Sequence, residues 1–485
     1  MNETLLRTYH SLPPWTRSAV ATARGAYLSY WRYDRHTDRL VAEILEREYW
    51  SAERWKQWQE ERLAFVLHRA ATKVPYYRAA WEKRRRNGNR ASWEYLENWE
   101  VLEKAPLREN PKAFVADDCR TWRMFPEHTS GTTAKPITLW RTREVQRVWY
   151  ALLEARTRCW YGVTRRDRWG IFGGQLIAPV ARRTPPFWVW NAGMNQLYLS
   201  SYHLAPDLAP YYLDALKKYD VKYLLGYSSA LYFLAQQAIR LGRRDLKMTV
   251  AVTNAEPLFD TQRRVIAEAF QCPVRETYGS SEIAGAGSEC DHGKMHVWPE
   301  VGYMEQLDKL GLVEDAMPGE VILTGLLNAD MPLIRYRQGD CARLETEAGK
   351  AECGCGRLLP TIGGLEGRAD DVLYTPDGRA VGRLDPAFKG TMPIHEAQII
   401  QETLGRVRLL YVPANGFTAH SGREITRAIQ DFLGSVEVVL EEVTQIPREK
   451  NGKFRAVISK VQTSKRNGTC AAAEASLQEA GSGAR

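Results

Sequence analysis

The chain has 485 residues, with 67 Lys or Arg against 58 Asp or Glu and a formal net charge of +9. A single hydrophobic core stops growing near about 250–300 residues, so this length predicts at least two domains. The positive excess is spread along the chain without an arginine-rich arm, which disfavours nucleic-acid binding. No apolar run of about 18 residues is present to span a membrane, and arginines interrupt the N-terminal segment where a secretory signal would be apolar. We therefore expect a cytoplasmic globular protein, and both a monomer and a homodimer remain open.

The first 118 residues are predicted to be mainly helical, because segments such as Asp38–Leu63 carry apolar residues at three- and four-residue intervals among charges. The basic segment Arg17–Trp31 either lies on a membrane or packs on the protein's own surface. From Thr121 onward, short apolar runs alternate with amphipathic segments. This alternation predicts an α/β core with largely parallel strands, followed by a more meandering β portion and, after about Asp371, a smaller α+β unit.

The individual elements follow from the same patterns. Strands are predicted within residues 168–174, 221–226, 248–252, 319–324, 333–337, 342–344, 409–412 and 436–443. Helices are predicted within residues 213–218, 229–241, 261–270 and 425–433. Residues 466–485 are dominated by Ala, Gly, Ser and Asn, which predicts a disordered tail.

A loop of small hydroxylated residues, Thr129–Lys135, is the first segment that indicates chemistry. Its backbone N–H groups and hydroxyls can converge on phosphate oxygens, and Lys135 adds a positive charge. The alternative is an ordinary polar hairpin turn. The spacing of a Walker loop is absent.

Four later segments extend this hypothesis. Glu276–Glu282 combines an aromatic residue that can stack on a base with a carboxylate that can hold Mg²⁺. In Leu333–Asp340 a predicted strand leads to a Gly-Asp turn, whose carboxylate can accept hydrogen bonds from ribose hydroxyls. Gly367–Asp371 and Ile446–Arg455 complete the set. Each segment alone is typical of a surface turn, and their joint occurrence in this order is what carries the argument.

Together these segments resemble the adenylate-forming superfamily of acyl-CoA synthetases, peptide-synthetase adenylation domains and luciferase. Pro332–Asp340, Cys353–Arg357 and Gln398–Gln401 are similar to the phenylacetate–CoA ligase-like branch, including its capsular-polysaccharide-associated members. The resemblance runs from Thr129 to Arg455, about two-thirds of the chain. It implies an α/β fold, in which a large N-terminal domain of residues 1–369, mainly helical over 1–118, precedes a small mobile α+β domain of residues 370–465 and the tail.

The resemblance also implies roles for individual residues. The β- and γ-phosphates of ATP are expected to contact the loop residues Thr129, Ser130, Gly131, Thr132, Thr133 and Lys135. Here Ala134 stands where the family usually has glycine, which restricts the loop to fewer conformations. The remaining nucleotide site is expected to comprise Ala255, Glu256 and Pro257 along the adenine, Tyr278 on its other face with Thr277, Gly279 and Ser280, Asp340 at the ribose and Arg368 nearby.

Three further residues are implied to act in catalysis. Glu282 is expected to hold Mg²⁺, Lys453 to approach the acyl carboxylate and the α-phosphate, and Asp370 to be the hinge between the domains. The implied reaction converts a carboxylic acid and ATP to acyl-AMP and pyrophosphate, and then transfers the acyl group to CoA. One alternative passes the acyl group to an amine or a sugar, or AMP to a hydroxyl group, as in polysaccharide or secondary-metabolite biosynthesis. A nucleotide-binding scaffold without turnover is a third reading, which the retained Glu282, Asp340 and Lys453 disfavour.

Three cysteines on two separated loops indicate a metal site. Cys290, Cys353 and Cys355, with either His292 or His296, offer the thiolate and imidazole ligands of a tetrahedral structural Zn²⁺. We favour His296, since it falls in a Gly-Lys-Met-His segment that resembles the start of a strand in the family, and His292 remains an alternative. The alternative is that Cys353–Cys355 is a reduced loop without a metal.

Overall fold

A computed structural model describes most of the chain, namely residues 8–129, 137–175, 177–179, 182–307, 319–344, 353–368, 373–376, 380–381, 393–414, 416–447 and 454–461. Several residues with predicted roles lie outside this described part: Ser130, Gly131, Thr132, Thr133, Lys135, Asp370, Lys453 and the tail 466–485.

The N-terminal region is helical, as its apolar spacing predicts. The helices described along the chain are α1 (Pro14–Arg32), α2 (Thr37–Arg47), α3 (Ala52–Lys73), α4 (Pro75–Arg86), α5 (Lys104–Glu109), α6 (Arg143–Thr157), α7 (Ala209–Lys218), α8 (Ser228–Arg240), α9 (Asp260–Phe270) and α10 (Ala419–Leu433). Local signals set their starts, since proline occupies the first turn of α1 and α4 and the Ser51 hydroxyl caps α3. Among these helices, none is long and apolar enough to cross a bilayer.

The strands of the described residues fall into one large sheet and three small ones. Two hairpins stand apart, β1 (Phe125–His128) with β2 (Thr138–Arg141), and β15 (Leu373–Tyr374) with β16 (Ala380–Val381). The large sheet contains β3 (Trp169–Gly173), β4 (Trp188–Asn191), β5 (Gln196–Ser200), β6 (Tyr223–Gly226), β7 (Val250–Thr253), β8 (Val274–Gly279), β9 (Ala286–Glu289), β10 (Met295–Val297), β11 (Gly302–Leu307), β12 (Gly319–Gly325), β13 (Tyr336–Leu344) and β14 (Thr361–Arg368). The last sheet contains β17 (Ile394–Thr403), β18 (Arg406–Pro413), β19 (Glu437–Glu442) and β20 (Val457–Ser459).

The large sheet is mixed. Its strand order is β11-β12-β13-β14-β10-β9-β8-β7-β6-β3-β5-β4. Pairing is parallel from β8 through β7, β6 and β3 to β5, and antiparallel on both sides of that group. The predicted parallel arrangement therefore holds for the central strands only. The carboxyl ends of these strands meet at one edge, which is where open parallel sheets bind ligands.

Alternating side chains bury both faces of the parallel strands. Leu224 and Ala251 face a core formed with α7, α8 and α9, whereas Tyr223 and Val250 face a second cluster on the opposite side. Because successive side chains of a strand point to opposite faces, this alternation requires cover on both faces. The helices predicted at 213–218, 229–241 and 261–270 provide that cover on one face and are confirmed as α7, α8 and α9.

Helix α1 packs against β4 at the edge of this sheet. A Cβ atom on Gly193 would lie 2.7 Å from the Ala26 nitrogen, so the helix and the turn after β4 approach too closely for a side chain. The Thr22 hydroxyl also accepts a hydrogen bond from the Ala192 amide at 3.1 Å. The inner face of this basic helix is thus covered by the protein itself, as the second of the two sequence alternatives requires.

One predicted strand is wrong in its position. Within 333–337, only Tyr336 and Arg337 are extended, and Arg335 has a left-handed φ of 47°. The expected Gly-Asp turn is instead a bulge inside β13, where the register against β12 shifts between Val321 and Ile322. Gly339 takes a φ of 84° in this bulge, which glycine adopts without steric cost.

The C-terminal sheet has its own core. β17 and β18 pair antiparallel, while β19 joins β18 and β20 joins β17 in parallel. Ile425, Ile429 and Leu433 lie on one side of α10 and are completely buried against these strands. The large sheet ends with β14 at Arg368, so the small α+β pattern expected after about Asp371 forms separate sheets.

Candidate nucleotide site and metal centre

The carboxylate predicted to bind ribose is held by two donors. Tyr278 at the end of β8 donates its hydroxyl to Asp340 Oδ2 at 3.0 Å, and Gln338 Nε2 donates to the same oxygen at 2.6 Å. Ser280 in turn donates to Gln338 Oε1 at 3.0 Å. Hydrogen bonds to an ionised acceptor are short and directional, so this group fixes the Asp340 carboxylate. The structure thereby brings together Tyr278, Ser280 and Asp340, three residues of the predicted nucleotide site.

Gln338 contacts two residues of the candidate nucleotide site, and the sequence interpretation did not name it. It lies within the segment Leu333–Asp340, but an amide carries no charge and gave no separate signal. Gln338 and Asp340 stand on either side of Gly339 in the bulge of β13, and their side chains are hydrogen-bonded to each other. Asp340 is also the register partner of Arg368 on β14, so the backbone places these two predicted residues side by side.

Glu282 follows the turn after β8, and residues of two other elements contact Glu282 and its neighbour Ser281. The Tyr336 hydroxyl donates to Glu282 Oε1 at 3.2 Å. Arg141 at the end of β2 donates from Nη2 to the carbonyl oxygen of Ser281. Burial lowers the pKa of Arg141, while the carboxylates of Glu127 and Glu282 act in the opposite direction. Arg141 was also missed from sequence, because nothing near it in the chain connects it with residues 278–282.

The candidate phosphate loop joins the two strands of the β1–β2 hairpin. Its ends are held together, since the Thr129 amide donates to the Ile137 carbonyl at 3.0 Å and the Ile137 amide donates to the Thr129 hydroxyl at 3.0 Å. The strands on either side of this loop therefore form a hairpin, which was the alternative interpretation of the segment from the sequence. Because Arg141 at the far end of β2 contacts Ser281, the hairpin is fastened to the segment that contains Glu282.

The predicted adenine segment leaves the carboxyl end of β7. Ala255 has a left-handed φ of 63°, a conformation that costs a residue with a Cβ about 1–3 kcal/mol and is found mainly at functional sites. Asn254 Oδ1 is buried and accepts no hydrogen bond from the described residues. A buried acceptor without a donor is destabilising unless a ligand supplies one, and the amino group of adenine is such a donor. The segment therefore fits the predicted ligand.

Glu256 points its carboxylate at two structural elements. Oε2 accepts from the Ser229 amide at the start of α8 at 3.0 Å and lies 3.3 Å from the Ser228 hydroxyl. Oε1 accepts from the Phe454 amide at 2.7 Å. Phe454 follows Lys453 in the sequence and precedes β20. A residue expected beside adenine thus also connects the large sheet's ligand edge to the C-terminal unit.

Four metal-binding side chains converge next to β10. The ligand atoms of Cys290, His296, Cys353 and Cys355 all lie within 4.8 Å of one another. Cys290 Sγ is 3.5 Å from Cys353 Sγ, and Cys355 Sγ is 3.4 Å from His296 Nε2. Sulfur atoms of a tetrahedral zinc site with Zn–S bonds near 2.3 Å are about 3.8 Å apart, so the cluster has the size of such a site.

His296 rather than His292 belongs to the cluster. His296 is completely buried, and its Nδ1 lies 3.1 Å from the Leu359 carbonyl. A proton on Nδ1 that is donated to this carbonyl leaves the lone pair of Nε2 for a metal. His292 instead packs its ring against Gly354, 2.9 Å from where a Cβ atom would be.

A buried network of charged side chains holds the loop that contains Cys353 and Cys355, called the metal loop below. Glu48, at the end of α2, accepts from Arg156 Nε and from Arg357 Nε, each at 3.1 Å, and from Trp160 Nε1 at 2.8 Å. Arg156 also forms a two-point pair with Glu300 at 2.8 and 3.0 Å. Burial raises the pKa of Glu48, and the arginines oppose that shift. Arg357 therefore ties the Cys353–Cys355 loop to the N-terminal helices.

Comparison with known proteins agrees with this architecture. The family model of the CapK C-terminal domain matches residues 373–460. The chain is 34% identical over 177 residues to protein CapK of Staphylococcus aureus, and 27% identical over 340 residues to a phenylacetate-coenzyme A ligase of Pseudomonas putida. The chain is thus similar to proteins of the phenylacetate–CoA ligase-like branch of the adenylate-forming superfamily. The resemblance inferred from the motifs is confirmed.

The extent of these matches differs. The match to CapK covers 36% of this chain and 38% of CapK, whereas the match to the Pseudomonas putida ligase covers 67% and 72% respectively. The crystal structure of a 2-hydroxyisobutyryl-CoA ligase with a bound acyl-adenylate is similar with a TM-score of 0.63 and 19% identity, over 90% of this chain and 94% of that one. At this identity the likeness speaks for the fold, and it confirms the predicted α/β class with a small C-terminal unit.

Proposed function

We propose that the chain activates a carboxylic acid with ATP to give acyl-AMP and pyrophosphate, and then transfers the acyl group to CoA. The observation that carries this proposal is the Tyr278–Gln338–Asp340 group beside Glu282, at the carboxyl edge of the parallel strands. It presents a fixed carboxylate for ribose hydroxyls and a second carboxylate for a cation within one site. The similarity to the phenylacetate-coenzyme A ligase of Pseudomonas putida supports the reaction.

The chemical difficulty of the first step is repulsion between the attacking carboxylate and the phosphate oxygens. A cation at Glu282 would neutralise charge on the phosphates, and Lys453 is proposed to do the same at the α-phosphate, where a preorganised charge lowers the barrier most. Asp340 and Tyr278 are proposed to hold the nucleoside, while Thr129, Ser130, Gly131, Thr132, Thr133 and Lys135 hold the terminal phosphates. These roles make catalysis mainly a matter of positioning.

The proposed division of the chain is residues 1–369 and 370–465, with the hinge at Asp370. The end of the large sheet at Arg368 and the family match that begins at residue 373 support this division. Because Lys453 belongs to the small unit, adenylation requires that unit to close on the large one. The hydrogen bond from the Phe454 amide to Glu256 is the contact that such a closed arrangement would use.

Acid-dependent exchange of pyrophosphate into ATP tests the first step. We expect exchange with at least one member of a carboxylic acid panel, and its loss by a factor of about 100 or more in Lys453→Ala, as for other preorganised charges at a transition state. Lys450→Ala, three residues away, is the matched control and should keep the exchange. An exchange rate in Lys453→Ala equal to that of the parent would exclude the assigned lysine.

The acceptor is tested separately. Addition of CoA should give a thioester only after the acid that supports exchange has been supplied. If the same acid is converted to an amide when an amine is added, and no thioester forms with CoA, the acceptor is an amine rather than CoA. The absence of exchange with every acid, together with AMP incorporation into a hydroxyl compound, would indicate an adenylyltransferase.

Zinc at Cys290, His296, Cys353 and Cys355 is proposed as a structural ion, because all four positions are protein ligands and none is left for substrate. Elemental analysis of the purified chain should give one zinc ion per chain. Cys355→Ser should lower that content and the Tm, whereas Cys159→Ser, a cysteine outside the cluster, should change neither. Full zinc content in Cys355→Ser would show that this thiol is not a ligand.

A further inference from the structure

Arg17 on α1 is buried with part of its hydrogen-bonding capacity unused. Its side chain is 1% exposed, and Nη1 donates to the Ile177 carbonyl at 2.9 Å. Nε and Nη2 are buried and donate to no acceptor in the described residues. An unpaired buried donor on a charged group is more destabilising than one on a neutral group, so the arrangement calls for an acceptor.

The groups around Arg17 also leave its positive charge without compensation. Burial and the positive charge of Arg182 both lower the pKa of Arg17, and the group acting in the opposite direction is Tyr9. Tyr9 is itself buried enough for its pKa to be raised, so its phenol supplies no negative charge at neutral pH. Within the described residues, no carboxylate contributes to the pKa shift of Arg17. In the described part of the chain, the two guanidinium groups of Arg17 and Arg182 therefore influence each other without a nearby carboxylate as counter-charge.

These residues lie at the ligand edge of the large sheet. Ile177 and Arg182 belong to the connection that leaves the carboxyl end of β3. His203, just after β5, reaches the same connection through a hydrogen bond with the Pro179 carbonyl at 2.9 Å. β3 and β5 are parallel neighbours, and ligands of open α/β sheets bind beyond the carboxyl ends of such strands.

We propose that Arg17 and Arg182 form a binding site for a phosphoryl group. Nε and Nη2 are the two donors on one side of a guanidinium, spaced to bind two oxygens of one phosphate. A phosphoryl dianion would accept hydrogen bonds from both donors and would supply a negative charge to balance the two arginines. The site is separate from the Thr129–Lys135 loop, and its ligand is either free phosphate or the phosphoryl group of a larger substrate such as the acyl acceptor.

Equilibrium dialysis with radiolabelled inorganic phosphate, at saturating AMP, tests the site on the full chain. We expect the parent to bind phosphate and Arg17→Met and Arg182→Met to bind it at least about tenfold more weakly, the loss of one charge-assisted pair. Arg183→Met is the matched control, because this neighbouring arginine is exposed and pairs with Asp207. Phosphate binding that is equal in the parent, Arg17→Met and Arg182→Met would overturn the proposal, as would the absence of binding to the parent.

Thermal unfolding distinguishes a binding site from a purely structural arginine. Without phosphate, Arg17→Met should have a Tm no lower than the parent, because it removes a buried charge that lacks a counter-charge. Millimolar phosphate should raise the Tm of the parent and of Arg183→Met but not of Arg17→Met. A Tm in Arg17→Met that is well below the parent and equally responsive to phosphate would contradict the proposal. If this variant does not fold, Arg182→Met decides alone.

The source of the phosphoryl group follows from competition. Displacement of phosphate from the parent by 3′-phosphoadenosine 5′-phosphate, but not by adenosine, would assign the site to a phosphorylated nucleotide such as that of CoA. Binding of phosphate without such displacement would assign it to the free anion. Both results support the site, and both are independent of acid-dependent exchange, whose failure would leave phosphate binding unchanged.

Discussion

Gln338 uses both ends of its amide, donating to Asp340 and accepting from Ser280. The effect is to connect the turn after β8 with the bulge in β13, so that the carboxylate is oriented before a nucleotide arrives. Such preorganisation acts on binding of ATP more than on the chemical step, because the same contact exists before and after acyl-AMP forms.

Gln338→Met should therefore raise the KM for ATP about tenfold and leave kcat within about threefold, from the loss of one charge-assisted hydrogen bond worth about 1.5 kcal/mol. The measurement is acid-dependent pyrophosphate exchange as a function of ATP concentration. Gln57→Met, on the exposed side of α3, is the control and should change neither constant. A lowered kcat at unchanged KM would mean that Gln338 acts in the transition state instead.

Glu256 joins α8, the adenine segment and the residue that follows Lys453. Glu256→Gln keeps the size of the side chain but removes the charge that accepts from the Phe454 amide. We expect the rate of adenylation to fall by about three- to tenfold, equivalent to about 1 kcal/mol for one charge-assisted hydrogen bond. Transfer to CoA from preformed acyl-AMP should be unaffected. Glu268→Gln, exposed on α9, is the control.

At the scale of elements, α1 depends on a close approach to the turn after β4. A Cβ on Gly193 would meet the Ala26 nitrogen at 2.7 Å and the Thr22 carbonyl at 2.8 Å, both backbone atoms that cannot rotate away. Gly193→Ala should lower the free energy of unfolding by about 1–3 kcal/mol, the usual effect of overpacking. Urea denaturation measures this change. Gly405→Ala, with nothing within 4 Å of its added Cβ, should be close to neutral.

At the scale of the whole molecule, Glu48 connects the N-terminal helices, α6 and the metal loop. Glu48→Gln would leave Arg156 with Glu300 alone and Arg357 without its buried partner. We expect the free energy of unfolding to fall by about 3 kcal/mol. This is the lower end of the range for a broken buried ion pair, because Arg156 keeps Glu300 as a partner. Glu43→Gln, whose exposed carboxylate pairs with Arg39, should cost less than about 1 kcal/mol. A neutral result for Glu48→Gln would mean that the network adds no stability.

The elements that sequence patterns predict well are those with a local signal. The strand–helix alternation from β3 to α9 follows from burial on both faces of each strand, and every helix predicted there is present. The strand predicted over 333–337 fails because the bulge at Gly339 and the left-handed Arg335 are settled by pairing with β12, which lies in another part of the chain. Local propensity contains no information on that pairing.

The sequence by itself indicated the resemblance to adenylate-forming enzymes, through the order of its motifs, and the ligand types of the candidate metal site, through its cysteines. Only the tertiary structure decided that His296 rather than His292 belongs to that cluster, since the choice depends on which ring the β10 backbone aims at the thiols. The hydrogen bonds between Gln338 and Asp340 and between Arg141 and Ser281 were also seen only in the tertiary structure. Residue identity sets what a side chain can bind, but contacts between distant segments set which side chains meet.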